Sequence, residues 1–317
     1  MSKIGVGISS CLLGEEVRFN GGHKHSAICS KELGRYFQFK PICPEVGIGL
    51  GVPRKPIRLV GNPMQPRAVG VGVDNPNIDV TEKLKEYGEK TLPHLTNICG
   101  YIFTKGSPSC GVFRVKVYKE NGMPNENPGS GIFASVIMKN NPLLPVEEAG
   151  RLTDPVLKEN FIQRVFAYHD WQQLKKGSLN INKLMGFHSR YKYSLMSHSA
   201  DLCVKLGRML TKGHASEIEK LGNEYFTLFM ETLIRKATRK TNTNVLMHLQ
   251  GYLKTKLDRK ETESLGKAVE QYRLGILPII VPVALIKSFF HSHPNSYAEK
   301  QVFLHPYPED LSLRNSI

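Results

Sequence analysis

An α/β N-terminal domain with a partly parallel sheet, followed by a largely α-helical C-terminal domain, is the fold class this sequence predicts. Three observations predict it. The 317 residues exceed what one core ordinarily holds, since single cores seldom grow past about 250 to 300 residues. Roughly the first 140 residues alternate short runs rich in β-branched and aromatic side chains with loops rich in Gly and Pro. After Pro142 apolar residues instead recur three or four apart, the period of helices that bury one face.

The clearest predicted strands are Ile4 to Ile8, Ile98 to Phe103, Val112 to Val117 and Ile132 to Met138. Asp79 to Thr91 reads as a helix with Val80, Leu84 and Tyr87 on one side. Strands interleaved with helix imply a sheet whose ligands bind beyond its carboxyl ends, where the loops carrying Cys11, Cys43 and Cys110 would converge. Farther on, Asp154 and Pro155 read as a helix N-cap and first turn, with Leu157, Phe161, Val165 and Tyr168 continuing to Trp171. Tyr225 to Ala237 repeats the pattern through Phe226, Phe229, Met230 and Leu233. The expected division is a catalytic domain over 1–150, a helical linker over 151–180 and an α-helical domain over 181–317.

Composition narrows the function. With 40% apolar and 22% charged residues the chain is that of a globular protein. Its net charge is +15 and its pI about 9.5, which favours a polyanionic partner, nucleic acid first. The surplus is heavier in the second half: 18 basic and 13 acidic side chains in residues 1–150, 25 and 15 in residues 151–317. The first ten residues read as a strand and not as a secretory leader, and the run Ile276 to Ile286, interrupted by Pro278 and Pro282, is short of the ~20 residues that span a bilayer. A cytoplasmic protein without a membrane partner is expected, so its six cysteines are not a disulfide framework, and metal binding or catalysis becomes their leading use.

Cys11, Cys43 and Cys110 each sit in a turn-forming sequence near a predicted strand end, and none belongs to a Cys-x-x-Cys pair, which argues against a zinc ribbon. Three separated thiolates can hold three irons of a 4Fe-4S cube and leave the fourth iron open. Spacing alone leaves equal room for ordinary buried thiols. Their neighbours favour chemistry: Glu45 lies two residues from Cys43, and Ser107 and Ser109 crowd Cys110, so a proton carrier stands beside a candidate Lewis acid. Cys29, Cys99 and Cys203 lack such company and are expected to fill space.

The segments Ser10-Cys11-Leu-Leu-Gly14, Cys43-Pro-Glu-Val-Gly47 and Gly106-Ser-Pro-Ser-Cys110-Gly111 resemble the thiouracil desulfurase family. Phe187-His-Ser-Arg-Tyr-Lys-Tyr193, His248-Leu-Gln-Gly-Tyr252 and Tyr272-Arg-Leu-Gly275 resemble a helical domain of unknown function often fused to it, and the fusion is similar to bacterial tRNA 4-thiouridine desulfidases. The resemblance implies a 4Fe-4S cluster on Cys11, Cys43 and Cys110, with Glu45 and Ser107 as catalytic carboxylate and serine. It implies conversion of 4-thiouridine in tRNA to uridine with release of sulfide: a thiophilic iron attracts the sulfur, and Glu45 activates the water that attacks C4, without redox change. Alternatives are a desulfurase of free thiouracil or thionucleosides, and a non-enzymatic iron-sulfur protein that binds RNA or senses oxidants; a carboxylate beside Cys43 argues against the last.

Arg18, Asn20, Arg58 and Ser109 are candidate substrate contacts, in loops that also carry His23, Lys24, Arg54 and Lys55. For RNA, Arg235, Lys236, Arg239 and Lys240 read as one helical stripe, and Lys254, Lys256, Arg259 and Lys260 as a second basic cluster. Phe187 to Tyr193 interleaves aromatic and basic residues, which suits either base stacking or inward packing. Leu274 to Ile286 reads as core, with Pro278 and Pro282 breaking or starting helices. The eight histidines beyond residue 150 show no His-x-x-x-His pattern, so no second metal site is expected.

Overall fold

The computed structural model describes residues 3–71, 78–212 and 217–317. The chain divides into two compact units, Met1–Asp154 and Pro155–Ile317. The first is α/β and the second helical.

The first unit is built on a parallel sheet of order β2-β1-β5-β7, where β1 is Ile4–Ser9, β2 Phe37–Ile42, β5 Tyr101–Phe103 and β7 Val146–Glu148. Strand β1 is its centre. Ile4, Val6 and Ile8 on one face and Gly7 and Ser9 on the other are buried, as expected for a parallel strand covered on both faces. It pairs with β2 from Ile4↔Phe37 to Ser9↔Ile42 and with β5 at Gly7↔Tyr101. Gly7 is required at that crossing, because a Cβ there would stand 2.2 Å from the Tyr101 ring. The chain leaves β1 to one side for β2 and returns to the other for β5, so a crevice opens at the carboxyl end of β1, where such sheets bind ligands.

A second sheet of order β4-β3-β6 joins the hairpin β3 (Ile57–Asn62) and β4 (Gln65–Gly70) to the short β6 (Val117–Tyr118). Leu59, Ala68, Val80, Leu84, Val115, Val117 and Ile132 form its core. Helix α2 (Thr81–Thr91) lies where the sequence predicts a helix, started by Asp79, whose carboxylate accepts from the Thr81 amide at 2.9 Å.

Two predicted strands are corrected. Ile132–Asn140 is a helix, α3, with Ile132, Phe133, Ala134 and Ile137 buried. A short, continuous apolar run carries no period that separates a buried strand from a buried helix. Of Val112 to Val117 only Val117 enters a strand; Val115 makes an isolated bridge to Gly129.

In the second unit the helices are α4 (Pro155–Lys175), α5 (Ile181–His198), α6 (Ala200–Lys212), α7 (Ile218–Ile234), α8 (Arg239–Gly251), α9 (Arg259–Arg273) and α10 (Ile280–Ser292). Their starts are written locally: the Asn180 side chain accepts from the Lys183 amide, and Thr238 with Thr241 and Asp258 with Glu261 form capping boxes. Pro278 precedes α10 and Pro282 sits in its first turn, as predicted for helix-starting prolines. Trp171 stacks on Phe226 at 4.5 Å, and Phe187, Tyr191, Tyr225 and Phe229 complete an aromatic core. A second core gathers Val245, Leu246, Leu249, Leu265, Val283, Ile286 and Phe290.

A buried ion pair ties the last residues to α4. Arg314 Nε donates to Glu159 Oε1 at 2.8 Å, the Tyr307 hydroxyl donates to the same oxygen at 3.0 Å, and Arg314 Nη1 donates to the Phe303 carbonyl at 2.6 Å. Removing one partner of such a pair strands the other charge in low dielectric. Glu159→Gln is therefore expected to cost about 3 kcal/mol of unfolding free energy. Urea denaturation measures it, and a loss under about 1 kcal/mol, the worth of a surface pair, would mean that the pair holds nothing together.

Candidate functional site

Three neighbouring parallel strands end in the three cysteines. Beyond β1, Ser10–Leu13 forms a 3-10 turn that carries Cys11; beyond β2, Cys43 caps the short helix α1 (Pro44–Gly47); beyond β5, the loop runs through Thr104 to Cys110. All three line one cavity of about 270 Å³ in the first unit, together with Glu45, Ser107, Arg18, Lys24 and Arg54. All six cysteines of the chain are free thiols; Cys29, Cys99 and Cys203 are buried away from this cavity.

Burial pushes the Cys11 and Cys43 thiols up and the Cys110 thiol well up, and the neighbouring thiolates and Glu45 add to it. Hydroxyls offset part of this: Thr104 hydrogen-bonds Cys11 and Ser9 hydrogen-bonds Cys110. Three half-satisfied thiols sharing one cavity suit a polycationic metal group, which replaces their protons and cancels their mutual repulsion. Three thiols from three separate loops are a donor set that fits a multi-iron group, whose irons each take one thiolate.

Glu45 is fixed from both sides. Arg54 donates to its Oε2 from Nε at 2.9 Å and Nη2 at 2.7 Å, and the Ser109 hydroxyl donates to its Oε1 at 2.9 Å. Arg54 is itself held by the Val17 and Gly51 carbonyls. The guanidinium and carboxylate side chains are only 6% and 14% exposed, so their charges are compensated within the fold. Glu45 lines the cavity, and Oε1, which accepts one hydrogen bond, keeps a second acceptor site of the kind a general base needs. Ser107 accepts from the Ser109 amide at 3.2 Å and the Cys110 amide at 3.0 Å. Its oxygen braces the cysteine turn while its own proton stays available to donate.

Gly131 backs this turn. A Cβ there would lie 2.5 Å from the Ser109 carbonyl and 2.8 Å from the Cys110 nitrogen. Gly131→Ala must displace the turn, and overpacking of this kind costs about 1 to 3 kcal/mol. The expected result is a lowered melting temperature together with reduced iron content after reconstitution, measured on the same sample.

Of the predicted substrate contacts, Arg18 lines the cavity, its guanidinium 5.6 Å from the Phe19 ring. The other three do not. Ser109 is fully buried with its hydroxyl committed to Glu45. Asn20 folds its side chain onto the Gly22 amide, and Arg58 lies on β3 against the Tyr118 ring. Arg54 as the partner of Glu45, and Phe19 at the cavity mouth, escape sequence reasoning. Nothing local marks one loop arginine among several as the one that folds back on a carboxylate.

In the second unit the predicted basic residues are exposed, but they do not form stripes along single helices. Arg235 caps the end of α7, Lys236 lies in the turn after it, and Arg239 and Lys240 open α8. Lys254 and Lys256 lie in the turn after α8, and Arg259 and Lys260 open α9. Arg239 is committed to the Tyr272 carbonyl at 2.7 Å and Arg259 to Glu263 at 2.8 Å. The spacing was helical by count only, because Thr238 restarts the helix with a new cap. The run Phe187 to Tyr193 packs inward: Phe187, Tyr191 and Tyr193 are buried, and no stacking platform is built from them.

Among the described residues no helix is long and apolar enough to cross a membrane. The comparison with known families matches residues 6–149 to 2-thiouracil desulfurase and residues 192–308 to a protein of unknown function, DUF1722. The uncharacterized protein YbgA of Escherichia coli is 31% identical over 154 residues, which is 48% of this chain and 91% of YbgA. The uncharacterized protein YbbK of Bacillus subtilis is 31% identical over 134 residues, 41% of this chain and 87% of YbbK. A solved structure of the 4Fe-4S-dependent thiouracil desulfidase TudS is similar at 28% identity, covering 49% of this chain and 95% of that one, with a TM-score of 0.38. The chain belongs to the 2-thiouracil desulfurase family through its first unit, followed by a DUF1722 domain in its second.

Proposed function

We propose that the protein is an iron-sulfur desulfidase that converts 4-thiouridine in tRNA to uridine. The observation that carries the reading is the convergence of Cys11, Cys43 and Cys110 on one cavity whose wall also holds the anchored carboxylate of Glu45. Cys11, Cys43 and Cys110 would hold a 4Fe-4S cluster, which supplies a thiophilic Lewis acid with one position not taken by protein. Glu45 takes a proton from water at Oε1, while Arg54 holds the other oxygen, Oε2. Ser107 donates its hydroxyl hydrogen to the pyrimidine. Arg18 and Lys24 give the mouth a positive charge that suits a nucleotide. In sum, water and a thiocarbonyl give a carbonyl and hydrogen sulfide, with no change of oxidation state.

The net charge of +15 and its weight in residues 151–317 support RNA as the partner, with the second unit's exposed lysines and arginines contributing phosphate contacts. A second reading, desulfuration of a free thiolated base, is favoured by the family description, which names thiouracil. The deciding experiment incubates the anaerobically reconstituted protein with thiolated tRNA and, separately, with 4-thiouracil, following loss of the thiocarbonyl absorbance. Faster turnover of tRNA is expected; turnover of the free base alone would overturn the assignment.

A further inference from the structure

A second cavity of about 630 Å³ adjoins the first, and Lys105 lines both. It is built at the carboxyl end of β7, the strand beside β5, so the two cavities continue along one edge of the parallel sheet. The last residues of β7 organise it. Glu148 accepts from the Val112 and Phe113 amides at 2.9 and 3.0 Å, which fixes the segment carrying Phe113. Glu147 accepts from Arg151 Nε at 2.7 Å and holds that guanidinium 4.6 Å from the Phe113 ring centroid. The result is an aromatic face backed by a cation, with Phe113 38% exposed.

Beside it stands Arg114, exposed, with no partner for its guanidinium among the described residues. Its φ is +53°, a left-handed backbone that a non-glycine residue adopts at a cost. The adjoining bridge between Val115 and Gly129, with hydrogen bonds of 3.0 and 2.9 Å, holds it there. Glu148 lines this cavity with two backbone amides donating to it, and Arg151 is paired with Glu147, while Lys105 and Arg114 have no acidic partner among the described residues. A stacking surface next to two free cations matches one nucleotide of a single strand: a base for the ring, a phosphodiester for the cations. The volume is within the range of small-ligand sites.

We propose that this cavity receives the nucleotide adjacent to the thiolated one, its base on Phe113 and Arg151 and its phosphodiester between Arg114 and Lys105. The inference rests on the desulfidase reading and adds to it where the neighbouring nucleotide of the strand is held, across two adjoining cavities.

The test has a binding arm and a turnover arm, both on the reconstituted full-length protein. In the first, a fluorescein-labelled uridine trinucleotide without sulfur is titrated against wild type, Phe113→Ala and Arg114→Asn. Asparagine tolerates the left-handed backbone, so the second variant keeps its fold even if loss of the ring disturbs the first. Each variant is expected to bind roughly 10-fold more weakly, the worth of one stacked base or one phosphate contact, and Arg114→Asn is expected to reduce the salt slope by about 1. Equal affinities would overturn the proposal. In the second arm, kcat/KM is compared for 4-thiouridine, its 5′-monophosphate and a trinucleotide with 4-thiouridine in the middle. The wild-type preference for the trinucleotide over the nucleoside is expected to disappear in both variants, whereas a damaged fold would lower both substrates together and leave the preference intact. A preference already complete with the monophosphate would overturn the adjacent-nucleotide assignment. Absence of turnover with every thiolated substrate would defeat the desulfidase reading, and the binding arm would then decide the cavity separately.

Discussion

Cys110→Ala is expected to lose both iron and desulfuration while keeping the fold. Cys110 is the most deeply set of the three thiols, and burial holds it well above the usual thiol range. It lines the cavity with the other two thiols, so its removal is expected to take away a metal contact and not merely a buried one. The two remaining thiols stand on different strands' loops and leave at least two irons of a cube without protein ligands. The fold cost of losing one small side chain is about 1 kcal/mol. Iron and sulfide content, visible absorbance and far-ultraviolet circular dichroism on the same sample check the result. Cys29→Ala is the matched control: its thiol is also buried, pushed up to about 11 by desolvation, but lies outside the cavity. Should Cys110→Ala keep full turnover, or Cys29→Ala lose it, the ligand assignment fails.

Glu45→Gln is expected to lower turnover by roughly 10²- to 10⁴-fold, the usual contribution of a positioned general base. The substitution has a second effect. Arg54, 6% exposed and directed at Glu45 through Nε and Nη2, becomes a buried charge without its counter-ion, at a cost of about 3 to 5 kcal/mol. Low activity alone would then be ambiguous. The double variant Glu45→Gln with Arg54→Met removes the stranded charge and is expected to recover most of the stability and none of the activity. Thermal melting and iron content separate the two effects. If the double variant regained turnover, Glu45 would be a structural anchor for the Arg54 loop and not the base.

Much of this protein is written locally. The cysteine motifs, the carboxylate two residues after Cys43 and the serine three before Cys110 are contiguous in sequence, and the turns that present them are encoded by the Gly, Pro and Ser around them. The change from short β-like runs to three- and four-residue periodicity is equally local, and the α/β and helical units follow it. So do the helix starts at Asn180, Thr238 and Asp258.

What local pattern cannot carry is which distant groups meet. Strand order alone brings the loops after β1, β2 and β5 to one end of the sheet, and only there does Arg54 find Glu45 and Ser109 turn inward from the cavity it seemed to face. The apolar run of α3 has no period to betray its helix, the basic residues around Thr238 are split by a new cap, and the aromatics of α5 are claimed by Trp171 and Phe229. The sequence by itself determined which residues can carry the chemistry of the site, because the three cysteines and the carboxylate lie within short segments. The tertiary structure decided its partners and its neighbours, including the cavity beyond β7, because hydrogen bonds and burial across tens of residues depend on how the strands are ordered in space and not on the spacing along the chain.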